Sequence, residues 1–156
     1  MYPTYDQMDK FYGTAGGPDC TAGIVNLPIS LKLAWDTSKN ITSFRCHKKL
    51  QAPFKAIFDQ AVKHYGEAKF RELRLDLFGG CFNHRMMRNG TRLSTHSWGA
   101  AVDLDPERNQ LKWGRDRASF AKPEYEAFWK IVEKQGAVSL GRQRNIDWMH
   151  FQFSRL

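Results

Sequence analysis

The chain has 156 residues, 42% of them hydrophobic, and a formal net charge of +8. This length predicts one domain that buries ~70% of its unfolded surface and needs no disulfide bonds for stability. No apolar run approaches the ~20 residues that span a bilayer. The first residues have neither the basic region nor the apolar core of a secretion signal. We therefore expect synthesis in the cytoplasm without a signal peptide.

The positive charge favours an anionic partner, such as the charged cell envelope. No helix-turn-helix, zinc-finger or RNA-binding signature arranges the basic residues, so we do not expect specific nucleic-acid binding. A solvated basic surface is the alternative. The basic residues are concentrated at 48–49, 71–74, 85–92 and 108–117.

The three cysteines, Cys20, Cys46 and Cys81, are an odd number without a Cys-x-x-Cys pair. This pattern favours reduced thiols. Cys81 and His84 could form half of a metal site, but the site would need a further ligand such as His96. A buried or surface thiol is the alternative for Cys81.

Residues 1–40 are rich in glycine, proline, tyrosine and threonine. A Gly-Gly-Pro turn at 16–18 and a Leu-Pro junction at 27–28 predict an irregular N-terminal arm. Its aromatic residues are expected to be packing anchors rather than substrate contacts. These residues are Phe11, Tyr12 and Trp35.

Two helices and a strand are predicted in the rest of the chain. Residues 50–65 carry apolar side chains at helical spacing, and Gly66 follows them. A second helix begins at Pro123 and ends near Gly136. Alternating leucines over 73–78 predict a half-buried strand that ends at two glycines. We expect residues 81–90 to form a loop that brings basic groups towards the following histidine.

The most distinctive stretch is Ser-Thr-His-Ser-Trp-Gly-Ala-Ala-Val-Asp at 94–103, followed near the C-terminus by Asp-Trp-Met-His at 147–150. His96, Asp103 and His150 offer two imidazoles and one carboxylate. Three such ligands leave one tetrahedral position free for water, which is typical of catalytic zinc. We therefore predict a zinc site on these three residues.

The spacing within the first segment is compatible with this site. As a strand, residues 100–105 would place Ala101, Asp103 and Asp105 on one face. Gly99 would let the backbone turn just before the strand and bring His96 back towards Asp103.

The second segment predicts a strand over 149–153 with His150 on one face. Asp147 is three residues away, so it would lie at the bend where the strand begins, near the metal but not bound to it. A carboxylate there could take a proton from metal-activated water and deliver it to a leaving amine.

The pattern Ser94-x-His96-x-x-Gly99-x-Ala101-x-Asp103, followed by an acidic residue, a tryptophan and a histidine, resembles the zinc D-Ala-D-Ala carboxypeptidases and L-alanyl-D-glutamate peptidases. These proteins share the Hedgehog amino-terminal fold, and they include vancomycin-resistance dipeptidases and phage endolysins. The similarity extends over about 73–153.

The resemblance implies an α+β fold, with a small, mainly antiparallel sheet that carries the zinc site and flanking helices from about Leu50 and Pro123. We expect one peptidase domain over 1–156, with the irregular arm at 1–40 and a catalytic core at 41–156.

The resemblance also implies an arginine before the histidine motif that stabilises the oxyanion of the tetrahedral intermediate. Arg85 matches best, while Arg88 and Arg92 are alternatives. Ser94 is expected to support the site by a hydrogen bond, not to act as a nucleophile.

Together these features predict a zinc-dependent peptidase of peptidoglycan stem peptides, with an L-alanyl-D-glutamate endopeptidase of the endolysin type as the main hypothesis. It would act on the cell wall after release, during host cell lysis. The alternatives are a D-Ala-D-Ala carboxypeptidase and a noncatalytic zinc-stabilised module. No long heptad pattern suggests assembly, so a monomer is expected.

Overall fold

The computed structural model describes residues 1–88 and 90–156; Asn89, within the predicted loop at 81–90, lies outside the described residues. The fold is α+β, as predicted, with six strands in the described ranges. They are β1 (Gly23–Leu33), β2 (Asp36–Cys46), β3 (Leu77–Gly80), β4 (Ala101–Leu104), β5 (Val138–Ser139) and β6 (His150–Gln152). The strand order is β2-β1-β3-β4-β6-β5. Only β1 and β3 pair in parallel among these neighbours, so the sheet is mainly antiparallel.

The helices are α1 (Met8–Tyr12), α2 (Gln51–Tyr65), α3 (Glu67–Glu72), α4 (Glu126–Lys134) and α5 (Leu140–Arg144). The two predicted helices are confirmed. α2 has Pro53 in its first turn and is followed by Gly66, and α4 is preceded by a 3-10 turn at Pro123–Tyr125. None of these helices has the length and apolar character needed to cross a membrane.

The strand β6 is anchored to the helical layer by an aromatic cluster. Phe151, fully buried on β6, has its ring centroid 6.3 Å from that of Phe54 on α2 and 6.0 Å from that of Phe128 on α4. Edge-to-face and tilted aromatic contacts at such distances add to the stabilisation from burial. Since His150 precedes Phe151, the core determines the position of the predicted ligand strand.

The predicted irregular arm at 1–40 is wrong in its second half. Gly23–Leu33 and Asp36–Cys46 form a long antiparallel hairpin. Pro28 lies in a register shift of this hairpin, between Asn26 and Leu31. A β-bulge accommodates a residue that lacks a backbone donor, so the proline does not terminate the strand.

The aromatic residues of the N-terminal region have different environments. Tyr12 is buried and its hydroxyl donates to the Phe153 carbonyl at 2.7 Å, while Phe11 packs against the Tyr12 ring at 4.8 Å. Both are packing anchors, as predicted. The prediction was wrong for Trp35, which is 67% exposed at the turn between β1 and β2.

The strand predicted at 73–78 begins only at Leu77. Arg74 has a φ of 60° and turns the chain after α3. Its guanidinium donates two hydrogen bonds of 2.9 Å to the buried carboxylate of Asp105. Asp105 also has a positive φ of 42°, so it leaves the face of β4 on which it was predicted to lie beside Asp103. This ion pair joins segments that are distant in sequence, which explains why local periodicity did not reveal it.

Residues 1–22 pack on the segment that contains the histidine motif. The indole N–H of Trp98 lies 3.3 Å from the Asp9 carboxylate and 3.0 Å from the Gly13 carbonyl, and it can donate to both. The Tyr5 hydroxyl donates to the Leu93 carbonyl at 2.8 Å. The N-terminal residues therefore support the backbone on both sides of His96.

Gly99 connects the 3-10 helix Thr95–Trp98 to β4. Its φ is +66°, and a Cβ there would lie 2.1 Å from the Cys20 carbonyl oxygen. Gly66, after α2, has a φ of +79° with open space around the same position. The turn expected at Gly99 is present. It requires glycine because of its positive φ and because a Cβ would clash with the Cys20 carbonyl.

We expect Gly99→Ala to lower the free energy of unfolding of the metal-free protein by roughly 3 kcal/mol or more, because strain and a backbone clash add. Gly66→Ala, the matched control, meets only the conformational cost of about 1–2 kcal/mol. Urea unfolding followed by circular dichroism measures both. Equal losses in the two variants would contradict the importance of the contact with Cys20.

Candidate metal centre

The register of two adjacent strands brings the predicted metal ligands together. β4 and β6 pair antiparallel with Asp103 directly opposite His150. The 3-10 helix Thr95–Trp98 and the left-handed turn at Gly99 then return His96 to the same end of β4. Ligand atoms of His96, Asp103 and His150 all lie within 4.8 Å of one another.

The distances within this cluster suit a tetrahedral cation. His96 Nε2 lies 3.1 Å from Asp103 Oδ2, and His150 Nδ1 lies 3.1 Å from Asp103 Oδ1. Ligand atoms around tetrahedral zinc are roughly 3.3 Å apart, given zinc–ligand distances of about 2.0–2.1 Å. Two nitrogens and one carboxylate oxygen are also donors that zinc accepts.

His96 presents an unused nitrogen to the cluster. Its Nδ1 lies 2.7 Å from the Cys81 carbonyl, which can only accept, so Nδ1 carries the proton. Its Nε2 is buried and has no hydrogen-bond partner in the described residues, because the 3.1 Å approach to Asp103 lacks hydrogen-bond geometry. A buried nitrogen with a free lone pair is costly unless a cation occupies the cluster.

The rival site on Cys81 and His84 is not assembled. The Cys81 thiol is buried and lies 3.6 Å from the Gly99 carbonyl, to which it donates. His84 is exposed, with its ring beside Gly16. Cys81 supports His96 through its backbone carbonyl instead. All three cysteines are free and buried, in agreement with the predicted reduced thiols.

His150 is oriented by a residue that the sequence analysis missed. Its Nε2 lies 2.8 Å from Gln152 Oε1. The Gln152 amide group donates to the Ser154 carbonyl at 3.0 Å, which leaves Oε1 as the acceptor for His150. Nδ1 of His150 therefore faces Asp103. The available signal was the alternation of β6, which places residues 150 and 152 on one face.

The ionisation of the cluster follows from burial and mutual attraction. Burial acts to raise the pKa of Asp103, but the attraction of the two neighbouring imidazoles outweighs it and holds that pKa well below its usual range. Burial acts to lower the pKa of His150, yet the hydrogen bond and charge of Asp103 raise it to about 9. A metal cation that binds in this cluster would replace the proton on Nδ1 of His150.

Asp147 lies at the bend before β6, as predicted. Its Oδ2 is 3.9 Å from His150 Nδ1, and its side chain is 14% exposed. Burial raises the pKa of Asp147 and the charge of Asp103 adds to this effect, whereas the two histidines and Arg85 oppose it. A carboxyl group with a raised pKa is better matched to proton transfer near neutral pH.

A cavity of about 260 Å³ opens over these side chains. Arg85 and Arg88 both line it. Arg92 lies elsewhere, with its guanidinium 3.7 Å from the centre of the Tyr5 ring and 3.5 Å from Asp6. The remaining lining has three polar side chains, Ser94, Thr95 and Gln152, and a larger apolar part formed by Met87, Leu111, Leu140, Ile146 and Met149.

A second groove of about 750 Å³ adjoins this cavity. It continues towards Pro106, Lys112 and Trp113. The two spaces share five lining residues, which are Arg85, Arg88, Asp103, Leu111 and Met149. The cleft therefore extends away from Asp103 in two directions.

Ser94 supports the motif through the backbone. Its hydroxyl accepts a hydrogen bond of 3.2 Å from the His96 backbone N–H, as the N-cap of the 3-10 helix. This is the kind of contact that was predicted, and it fixes the start of the turn that carries His96.

Residues 88–153 match a model of the M15 peptidase family that is described as D-alanyl-D-alanine carboxypeptidase. The matched segment contains His96, Asp103, Asp147 and His150, whereas Arg85 lies just before it. No curated protein and no solved structure matches the chain. Residues 88–153, less than half of the chain, are thus similar to the M15 peptidases, and this match supports the family predicted from the sequence.

Proposed function

We propose that the protein is a zinc-dependent endopeptidase that cleaves the L-alanyl-D-glutamate bond of peptidoglycan stem peptides. The family match supports a peptidase that acts on peptidoglycan in general. The observation that carries the proposal of catalysis is the desolvated carboxylate of Asp147, 3.9 Å from a histidine of the metal-binding cluster and at the edge of an open cleft.

In this proposal, His96 Nε2, the Asp103 carboxylate and His150 Nδ1 would hold zinc. Bound zinc would supply the Lewis acidity that polarises a carbonyl group and activates water. Cys81 and Gln152 hold the two imidazoles in the required tautomers through their outer nitrogens. Such supporting hydrogen bonds orient ligands and increase their basicity.

The other residues of the site have distinct tasks. The Asp147 carboxylate accepts a proton from the attacking water and passes it to the departing amine. The Arg85 guanidinium would donate hydrogen bonds to the oxyanion and offset the negative charge that develops there. Arg88 lines the same cavity and is the remaining candidate for this role.

The shape of the cleft favours an endopeptidase. A substrate cleaved within its chain needs room on both sides of the scissile bond, and the cleft continues from Asp103 in two directions. The apolar wall near the metal suits the methyl group of alanine. Arg85, Arg88 and Lys112 outnumber the two acidic residues of the second groove, Asp103 and Glu107, and suit carboxylates of the stem.

The alternative is a D-Ala-D-Ala carboxypeptidase, which is favoured by the description of the matched family. In that case Arg85 or Arg88 would bind the terminal carboxylate of the substrate. For either bond, we propose that the protein acts on the cell wall after release, during host cell lysis, and that its positive charge promotes contact with the anionic envelope.

Zinc binding should depend on the orientation of His150. We expect Gln152→Leu to weaken zinc affinity about 10- to 100-fold, because it removes the acceptor that orients His150. Asp147→Asn should leave zinc affinity close to that of the wild type, because Asp147 is not a ligand. Competition with a chromophoric chelator measures both. An equal loss in Asp147→Asn would identify Asp147 as a ligand and refute its proposed role.

The products released from peptidoglycan identify the bond that is cleaved. Zinc-loaded protein should release new D-glutamate amino termini from purified peptidoglycan, and chelated protein should release none. Asp147→Asn should lower the rate about 10²- to 10⁴-fold, the usual contribution of a general base. Amino-terminal labelling identifies the exposed residue. Free D-alanine would assign the carboxypeptidase instead, and no product from folded, zinc-loaded protein would favour the noncatalytic module.

Substitutions of the three arginines identify which one contacts the oxyanion. We expect Arg85→Ala to lower kcat about 10²- to 10³-fold, as removal of an oxyanion donor does. Arg92→Ala is the matched control, because Arg92 contacts Tyr5 and Asp6 outside the cavity, and its kcat should stay near the wild-type value. A large loss in Arg88→Ala with a small loss in Arg85→Ala would transfer the assignment to Arg88.

A further inference from the structure

The Asn145 side chain connects two segments that border the site. Its Oδ1 accepts a hydrogen bond of 2.7 Å from the Arg115 backbone N–H and one of 3.1 Å from the indole N–H of Trp148. Asn145 itself follows α5 in the left-handed conformation, with a φ of 53°. One amide oxygen thus joins the loop around Arg115 to the loop that carries Asp147.

The loop that carries Asp147 has an unfavourable backbone conformation. Asn145 and Asp147 both have a positive φ, 53° and 55°. Such conformations cost about 1–2 kcal/mol each for residues with a side chain, although asparagine and aspartate tolerate them best. They persist only where surrounding contacts impose them.

The contacts that stabilise these backbone conformations come from residues 111–115 and from Trp148. The Asp147 backbone N–H donates to the Leu111 carbonyl at 2.9 Å, and the His150 N–H donates to the Asp147 carbonyl at 3.1 Å. The Trp148 indole is buried against Gly141, where a Cβ would lie only 2.1 Å from a ring atom. Hydrogen bonds and packing therefore fix the backbone on both sides of Asp147. Among these contacts, the Asn145 side chain accepts the hydrogen bonds from Arg115 and Trp148.

We propose that Asn145 is a positioning residue that orients Asp147 through its bonds to Arg115 and Trp148. This inference rests on the proposed function, since it assigns Asn145 a role in the proton transfer by Asp147. Leu111 and Trp113, on the same tethered segment, line the second groove. The link to Asn145 therefore also sets the distance between Asp147 and this wall of the cleft.

The test compares two substitutions that keep the backbone conformation accessible. Asn145→Gly tolerates a positive φ but removes the acceptor. Asn145→Asp keeps an oxygen at the same position and also tolerates this conformation. The substrate is a soluble peptide that contains the bond cleaved by the wild-type protein. The readouts are kcat, KM, zinc affinity and the melting temperature.

We expect Asn145→Gly to lower kcat about 10- to 100-fold, because a small displacement of a catalytic group is costly. KM and zinc affinity should stay near their wild-type values, and Asn145→Asp should recover most of kcat. Trp148→Phe, which removes one donor and replaces the indole with a smaller aromatic ring, should cause a smaller loss than Asn145→Gly.

Three results would overturn the inference: wild-type kcat in Asn145→Gly, an equal loss in Asn145→Asp, or a parallel loss of zinc affinity in Asn145→Gly that indicates general disruption. Failure of the proposed function would look different. In that case the wild-type protein, folded and zinc-loaded, would itself cleave neither the L-alanyl-D-glutamate bond nor a D-Ala-D-Ala bond.

Discussion

The site depends on the pairing of β4 with β6, in which Asp103 lies opposite His150. Because side chains alternate along a strand, a shift of one residue in this register would turn His150 away from Asp103. The register is stabilised from the opposite face by Phe151, which packs between α2 and α4. The same core contacts that stabilise the fold therefore determine the geometry of the metal-binding cluster.

Burial imposes a second constraint on the cluster. Charged or polar groups withdrawn from water need partners, and each outer nitrogen of the two histidines has one, Cys81 or Gln152. Only the inner Nε2 of His96 lacks a partner in the described residues. The outer nitrogens of the cluster are thus satisfied by hydrogen bonds, and its centre is arranged so that it could hold a metal ion.

Sequence patterns predicted much of this arrangement. Local spacing and residue type predicted the three candidate metal ligands, the turn at Gly99 and the bend at Asp147. They also predicted the helices at 51–65 and 126–134. Such features depend on short-range periodicity and on the conformational freedom of glycine. Local signals were misleading at Pro28, where a bulge kept the strand intact, and at 73–76, where a distant ion pair imposed a turn.

By itself, the sequence determined which family the chain resembles and which three side chains could bind a metal, because a motif encodes residue types at short separations. Only the tertiary structure decided which nitrogen of each histidine faces the cluster, that Gln152 supports His150, and that Arg92 contacts Tyr5 rather than the cavity. The hydrogen bond between Asn145 and the backbone N–H of Arg115 likewise joins residues that are 30 positions apart in the sequence. Contacts between distant segments arise from packing, which no local periodicity encodes.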